Sequence, residues 1–168
     1  KVMEIPLIIQ KTKGNKEDEL KDLERVIEKA KKKYKIQGIV SGAIQSVYQA
    51  SRIQKICNKL NLECFNPLWQ KNEEEYLSEL IQNKFKTIIA GVFAYPLDSS
   101  WLGKEINQKF IYELKKINQK YKVNLAGEGG EYETFVLNCP LFKRELQIIN
   151  KKIHSTGENS CKLELEIE

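Results

Sequence analysis

Short apolar runs alternate with longer stretches of helical period through the first 67 residues, and this alternation constrains the chain more than anything else in it. Ile5-Pro-Leu-Ile-Ile9 reads as a short buried strand, and the turn Lys11-Thr-Lys-Gly-Asn-Lys16 leads into a helix from about Glu17 to Lys33. Leu20, Leu23, Val26, Ile27 and Ala30 recur there at three- and four-residue spacing and form one apolar stripe. Ile36–Val40 reads as a second strand. Ser41-Gly42 then opens a helix through about Leu60, with Ile44, Val47, Tyr48, Ile53, Ile56, Cys57 and Leu60 at its apolar positions, and Leu62–Phe65 is a third strand leaving through Asn66-Pro67. Strands alternating with helices imply βαβ units on a parallel sheet with right-handed crossovers. Three strands and two helices would leave apolar surface uncovered on one side, so this reading expects more of the sheet upstream.

From Glu73 the pattern changes. A helix to about Asn83, a strand Thr87–Val92, a long loop Phe93–Gly103, a helix Ile106–Lys120 and a strand Lys122–Ala126 precede a glycine-rich stretch. Beyond it come only strands, Tyr132–Leu137, Phe142–Ile149 and Cys161–Ile167. The second part is therefore α+β. The boundary is expected near Gln70, giving a domain of residues 1–70 and another of 71–168.

Composition narrows the class. With 168 residues, 41% of them hydrophobic, the chain can bury a core. No apolar run approaches the roughly 18 residues needed to span a bilayer, and Lys1-Val-Met-Glu-Ile-Pro6 lacks the build of a signal peptide, so no membrane association and a cytoplasmic location are expected. Cys57, Cys64, Cys139 and Cys161 are widely spread, with a single histidine, His154, to supplement them. This argues against a structural zinc site and for reduced thiols in core or strand positions. The net charge of +5 is uneven: residues 1–70 carry 14 basic and 8 acidic groups, residues 71–168 carry 14 and 15. Lys29, Lys31, Lys32, Lys33 and Lys35 read as solvated cations at a helix C-terminus, where the macrodipole favours them, or as a surface approaching a polyanion. Direct nucleic-acid binding is not expected.

Three stretches carry candidate chemistry. In Ala126-Gly-Glu-Gly-Gly-Glu-Tyr-Glu-Thr-Phe135, the glycines Gly127, Gly129 and Gly130 permit close backbone approach, and exposed N–H groups there can form an anion-binding concavity. Glu131 and Glu133 lie two apart and would share a strand face, with Glu128 nearby; together they could hold Mg²⁺, an ammonium or a quaternary ammonium, with Tyr132 supplying a cation–π face. A hairpin turn with solvated glutamates accounts for the same residues. The second stretch, Gly38–Arg52, sets Gly42 at the carboxyl end of a strand and opens a helix whose terminus favours phosphate; Ser46, Gln49 and Arg52 fall three apart on one face, beside Tyr48. An ordinary strand-turn-helix with a polar face is the alternative. Third, Tyr95-Pro-Leu-Asp-Ser-Ser-Trp-Leu-Gly103 is a long loop of the kind that often carries function, although Trp101 serves equally as its core anchor; Trp69 in Pro67-Leu-Trp69 is a pocket wall or simple packing. No Ser-His-Asp or Cys-His arrangement assembles around His154, which reads as a surface residue.

Gly42-Ala-Ile-x-Ser46-x-Tyr48-Gln49-x-x-Arg52, Pro67-Leu-Trp69, Trp101-Leu-Gly103 and Gly127-Glu-Gly-Gly-Glu-Tyr-Glu-Thr-Phe135 followed by Cys139-Pro-Leu-Phe142 together resemble the diphthine–ammonia ligases in their compact archaeal form. The order and spacing match across nearly the whole chain. The resemblance implies an α/β fold: a partial Rossmann-like parallel sheet of the adenine nucleotide alpha hydrolase-like type, followed by a smaller α+β C-terminal lobe. It also implies an ATP-dependent ligase using Mg²⁺, which activates the carboxylate of diphthine on translation elongation factor 2 as an acyl-adenylate, from which ammonia displaces AMP. By position it assigns Gly42, Ser46, Tyr48, Gln49 and Arg52 to nucleotide binding and Glu128, Glu131 and Glu133 to the catalytic set. Gly127, Gly129, Gly130, Tyr132, Trp69, Trp101 and Gly103 fall to substrate binding, and no residue to a resident metal. Ammonium or the diphthine trimethylammonium would be captured by the glutamates.

Two departures stand out. The family's Ser-Gly-Gly-Lys-Asp-Ser loop, which cradles the pyrophosphate of ATP, is not in these residues, where Gly129-Gly130 is the only Gly-Gly pair; a longer chain or a separate polypeptide is expected to supply it. Asn138 stands where the family commonly carries aspartate. A catalytically silent binding module, and a related ATP-pyrophosphatase with another acyl or thiolation substrate, are the competing functions.

Overall fold

The computed structural model describes residues 2–12, 16–157 and 159–168. It divides into two compact units, one of Ile5–Lys71 and the other of Asn72–Glu168 together with the residues before Ile5.

The first unit contains α1 (Lys16–Tyr34), β1 (Gly38–Val40), α2 (Val47–Leu60) and β2 (Glu63–Phe65). β1 and β2 pair in parallel, Ile39 opposite Cys64, and α2 is the crossover between them. The helical stripes read from the sequence form the core: Ile27 meets Ile56, Cys57 and Leu62, with Leu23, Val26, Ile39, Ile53 and Cys64 packed around them. Burying a side chain of this size contributes about 1.5–3 kcal/mol. Ser46 caps α2 by accepting the Gln49 N–H at 3.3 Å, and Asn61, at φ 50°, ends it in the left-handed conformation.

Two expectations are corrected here. Residues 5–9 form no strand, and Ile5, Leu7 and Ile9 are exposed; extended apolar sequence makes a strand only where a neighbour takes up its ladder. The sheet therefore has two strands in place of three. The second helix starts at Val47 and not at Ser41, because Ala43 and Ile44 are buried in the preceding loop and Ser46 supplies the cap.

The second unit contains α3 (Glu73–Gln82), β3 (Lys86–Val92), a 3-10 turn (Ser99–Trp101), α4 (Gln108–Tyr121), β4 (Tyr132–Asn138), β5 (Ile148–Gly157) and β6 (Ser160–Ile167). Its four strands form an antiparallel sheet in the order β4-β3-β6-β5. One core gathers Leu77 of α3, Phe110, Ile111 and Leu114 of α4, and Ile89, Val92 and Tyr132 of the sheet; a second gathers Ile88, Leu137 and Leu163 with Phe135, Leu146 and Leu165. Asn72 caps α3 by accepting the Glu74 and Glu75 N–H groups, and Asn107 caps α4 at Phe110. This α+β unit takes the larger share of the chain.

Two strands differ from expectation. Lys122–Ala126 is not a strand, although Val123 and Leu125 alternate inward, because side-chain acceptors capture its N–H groups before a ladder can. The strand expected at 142–149 begins only at Ile148 and runs to Gly157 as an edge with every residue exposed; Lys151, Lys152 and His154 hid it from a search for apolar alternation. Cys57, Cys139 and Cys161 are buried free thiols and Cys64 is partly buried.

Candidate functional site

One asparagine organises the glycine-rich loop between α4 and β4. Lys122 ends α4 at φ 58°, and Asn124 then uses every polar group it has. Its backbone N–H donates to Glu131 Oε1 at 2.9 Å, and its carbonyl accepts the Gly127 N–H at 3.2 Å. Its Oδ1 accepts the Ala126 and Glu128 N–H groups at 2.9 and 3.2 Å, and its Nδ2 donates to Glu73 Oε1 at 2.7 Å. Glu73 opens α3, where the helix dipole favours an anion, and its other oxygen accepts the Leu125 N–H at 2.7 Å.

The consequence is a loop that presents acceptors. The N–H groups of Leu125, Ala126, Gly127, Glu128 and Gly130 are all consumed internally, so they form no anion-binding concavity of the kind the glycines allowed. Gly127 and Gly130 take φ +72° and +81°, which side chains rarely adopt. Glu131 lies in the bend before β4, so it does not share a strand face with Glu133 as period two suggested. Its Oε2 is buried and accepts no hydrogen bond among the described residues. Glu133 is exposed on β4, opposite Gly91, and Glu128 is partly buried. Glu133 is thus solvated but on a strand, and Glu131 lies in the bend with a buried oxygen, so a hairpin turn of solvated glutamates describes neither.

Tyr132 is not the open aromatic face the sequence offered. It is 5% exposed, its hydroxyl donates to the Leu125 carbonyl, and its ring packs edge-on to Phe110 at 6.2 Å in a row that continues to Trp101, 5.5 Å from Phe110. Burial, and secondarily the charges nearby, push its phenol above the ordinary range. Tyr76 is also held high, first by burial and then by the Glu128 carboxylate. Trp101 is a core residue with Lys104 Nζ 3.9 Å from its ring centroid, and Gly103, at φ +79°, ties its loop to β3 through Ile89. The Phe93 N–H donates to the Glu131 carbonyl at 2.8 Å, joining the start of that loop to the acidic segment. Among the described residues no three His, Cys, Asp or Glu side chains group to hold a metal ion.

In the first unit, the carboxyl ends of β1 and β2 feed two loops that are stitched together. The Ser41 N–H donates to the Phe65 carbonyl at 3.0 Å, and the Gln70 N–H to the Ile44 carbonyl at 2.7 Å, so the Pro67–Gln70 turn lies against the approach to α2. Gly42 faces open space, Tyr48 and Gln49 are exposed on the first turn, and the Arg52 guanidinium lies 3.2 Å from the Tyr48 ring centroid. Trp69 is 36% exposed on the turn. Gly42 thus lies in the loop leading from β1, Ser46 caps α2, and Tyr48, Gln49 and Arg52 lie on its first two turns, at the carboxyl end of a parallel pair, where such sheets bind ligands.

Sequence reasoning missed Glu73 and Asn124. Glu73 reads as an ordinary helix-start carboxylate, and Asn124 sits inside an apparent strand, so no local signal marks either. The diphthamide synthase C-terminal domain matches residues 72–164, and the diphthamide synthase N-terminal domain matches residues 1–64. The chain belongs to the diphthamide synthase family.

Relatives of this family named diphthine–ammonia ligase include those of Bos taurus, 42% identical over 137 residues, and Homo sapiens, 41% identical over 137 residues, each match covering 81% of this chain and 51% of the relative. That of Saccharomyces cerevisiae is 32% identical over 162 residues, covering 86% of this chain and 24% of the relative. The chain spans about half the length of the mammalian relatives it matches. Glu73, Asn124 and the whole Gly127–Glu133 segment fall within the diphthamide synthase C-terminal match, Ser46 to Arg52 within the N-terminal one, and Trp69 between them. No helix among the described residues is long and apolar enough to cross a membrane.

Proposed function

We propose that this protein works as a diphthine–ammonia ligase on translation elongation factor 2 in the cytoplasm. The diphthine carboxylate attacks ATP to give an acyl-adenylate and pyrophosphate; ammonia then displaces AMP, leaving the amide of diphthamide. The observation that carries this reading is the family match through both units, with the acceptor-rich loop inside it.

The residues present fit a nucleotide. Gly42 leaves room beside the α2 N-terminus, Ser46 fixes that terminus, and Arg52 supplies a cation stacked on Tyr48. ATP would provide the activating adenylyl group there. Mg²⁺ would accompany the ATP phosphates. The partnerless Glu131 Oε2 is an acceptor suited to an N–H donor, and a buried polar atom without a partner costs about 1–3 kcal/mol. Ammonium satisfies it by donating a hydrogen bond, and Glu128 and Glu133 add negative charge that favours ammonium or the trimethylammonium of diphthine.

The test uses protein purified natively, with any companion, incubated with diphthine-bearing factor, Mg-ATP and ¹⁵N-ammonium. Formation of AMP together with a ¹⁵N-amide on the factor is the expected result. AMP without amide would point to another acyl substrate, and binding of the factor with no nucleotide turnover to a silent binding module.

A further inference from the structure

We propose that Glu73 is a positioning residue of the amidation, acting through Asn124 to set the loop that carries Glu128 and Glu131; this rests on the ligase reading of that loop. A carboxamide is asymmetric, an acceptor at its oxygen and a donor at its nitrogen. Asn124 can serve the Ala126 and Glu128 N–H groups only if its oxygen, and not its nitrogen, points at them. The Glu73 carboxylate settles that choice, because it has acceptors only and takes the Asn124 Nδ2 at 2.7 Å. Its second oxygen holds the Leu125 N–H, so one side chain fixes both the amide orientation and the start of the loop. Glu73 is itself held on the first turn of α3 by the Asn72 cap beside it. Without this carboxylate the amide can turn over, its nitrogen would face two N–H groups, and the Glu128 backbone would leave its place. Glu131 would follow, since its Oε1 is anchored on the Asn124 N–H.

The experiment is amidation kinetics of the native protein with E73Q, N124D, the pair E73Q/N124D, E128Q, E131Q and E73Q/E128Q. In E73Q the new amide can satisfy Leu125 or Asn124 but not both in the native sense, and a fall in kcat of tenfold or more is expected with KM for ATP within twofold. N124D sets two carboxylates face to face and should be worse. The pair exchanges the two roles, a donor at 73 now facing an acceptor at 124 that still serves the Ala126 and Glu128 N–H groups, and should recover at least part of the lost kcat, which a general loss of stability would not do. E73Q and E128Q should combine less than multiplicatively, as groups acting through one loop do. Amide exchange at Ala126 and Glu128 should quicken in E73Q while that in β4 stays slow. If E128Q and E131Q leave amidation intact, the reading of the loop fails. If E128Q slows it but E73Q matches the unsubstituted protein, or the E73Q/N124D pair recovers nothing, the positioning role is wrong.

Discussion

The carboxylate of Glu131 lies against the α-carbon of Gly129, so closely that a β-carbon at 129 would stand 2.6 Å from Oε1 and 2.8 Å from Oε2. The glutamate is not free to yield, because Oε1 is held by the Asn124 N–H at 2.9 Å. Gly129→Ala should therefore expel the carboxylate and leave that N–H without its acceptor, costing about 1–3 kcal/mol. Gly130→Ala is the contrast: nothing lies within 4 Å of its β-carbon, and its φ of +81° alone carries a penalty of about 1–2 kcal/mol. Denaturant unfolding should show both losses, but only G129A should quicken exchange of the Asn124 amide.

Glu131→Gln tests the same carboxylate without disturbing its shape. Its amide keeps an oxygen for the Asn124 N–H, so stability should change by under about 1 kcal/mol, while the buried partnerless oxygen becomes an N–H donor. A donor there repels ammonium, and amidation at limiting ammonium should fall at least tenfold. Unchanged amidation would remove Glu131 from the proposed mechanism.

Much of the fold was legible because the helices obey their period. Leu23, Val26, Ile27, Ile56 and Cys57 meet in one core as their spacing demands, and Phe110, Ile111 and Leu114 do so in the other. The site was legible only as a stretch of residues. Period two sets Glu131 on a strand face with Glu133 and turns Tyr132 outward, whereas Glu131 lies in a bend before the strand and the Tyr132 phenol finds a carbonyl within. Glu73 was invisible because it lies 51 residues from the asparagine it holds, and no periodicity reports a contact at that separation. β5 escaped because an exposed edge buries neither face and so shows no alternation.

Cys57 gives a prediction about pH. Burial, and then the neighbouring Cys64 thiol, push its pKa from 9.0 to about 11. A folded value above the unfolded one means that the neutral thiol's contribution to stability is full below about pH 9 and is lost as pH rises toward 11. Relative to Cys57→Ala, the native protein should lose stability across that window. Cys57 is also fully buried, with its thiol held neutral at pH 8, so iodoacetamide should leave it unmodified in the folded state and label it on unfolding.

Arg52 separates a stabilising contact from a nucleotide contact. Its guanidinium stacks on Tyr48 one helical turn earlier, an interaction between partly exposed groups worth about 0.5–1 kcal/mol. Arg52→Lys keeps the charge but loses the planar stack and the forked donors that suit a phosphate. If the stack served stability alone, R52K and Y48A would each cost under about 1 kcal/mol and leave ATP binding as it was. If Arg52 approaches the nucleotide as proposed, R52A should raise KM for ATP about tenfold, equivalent to about 1.4 kcal/mol, and R52K should recover only part of it. Thermal unfolding and steady-state kinetics on the same variants decide between the two, because only a nucleotide contact moves KM further than it moves the unfolding midpoint.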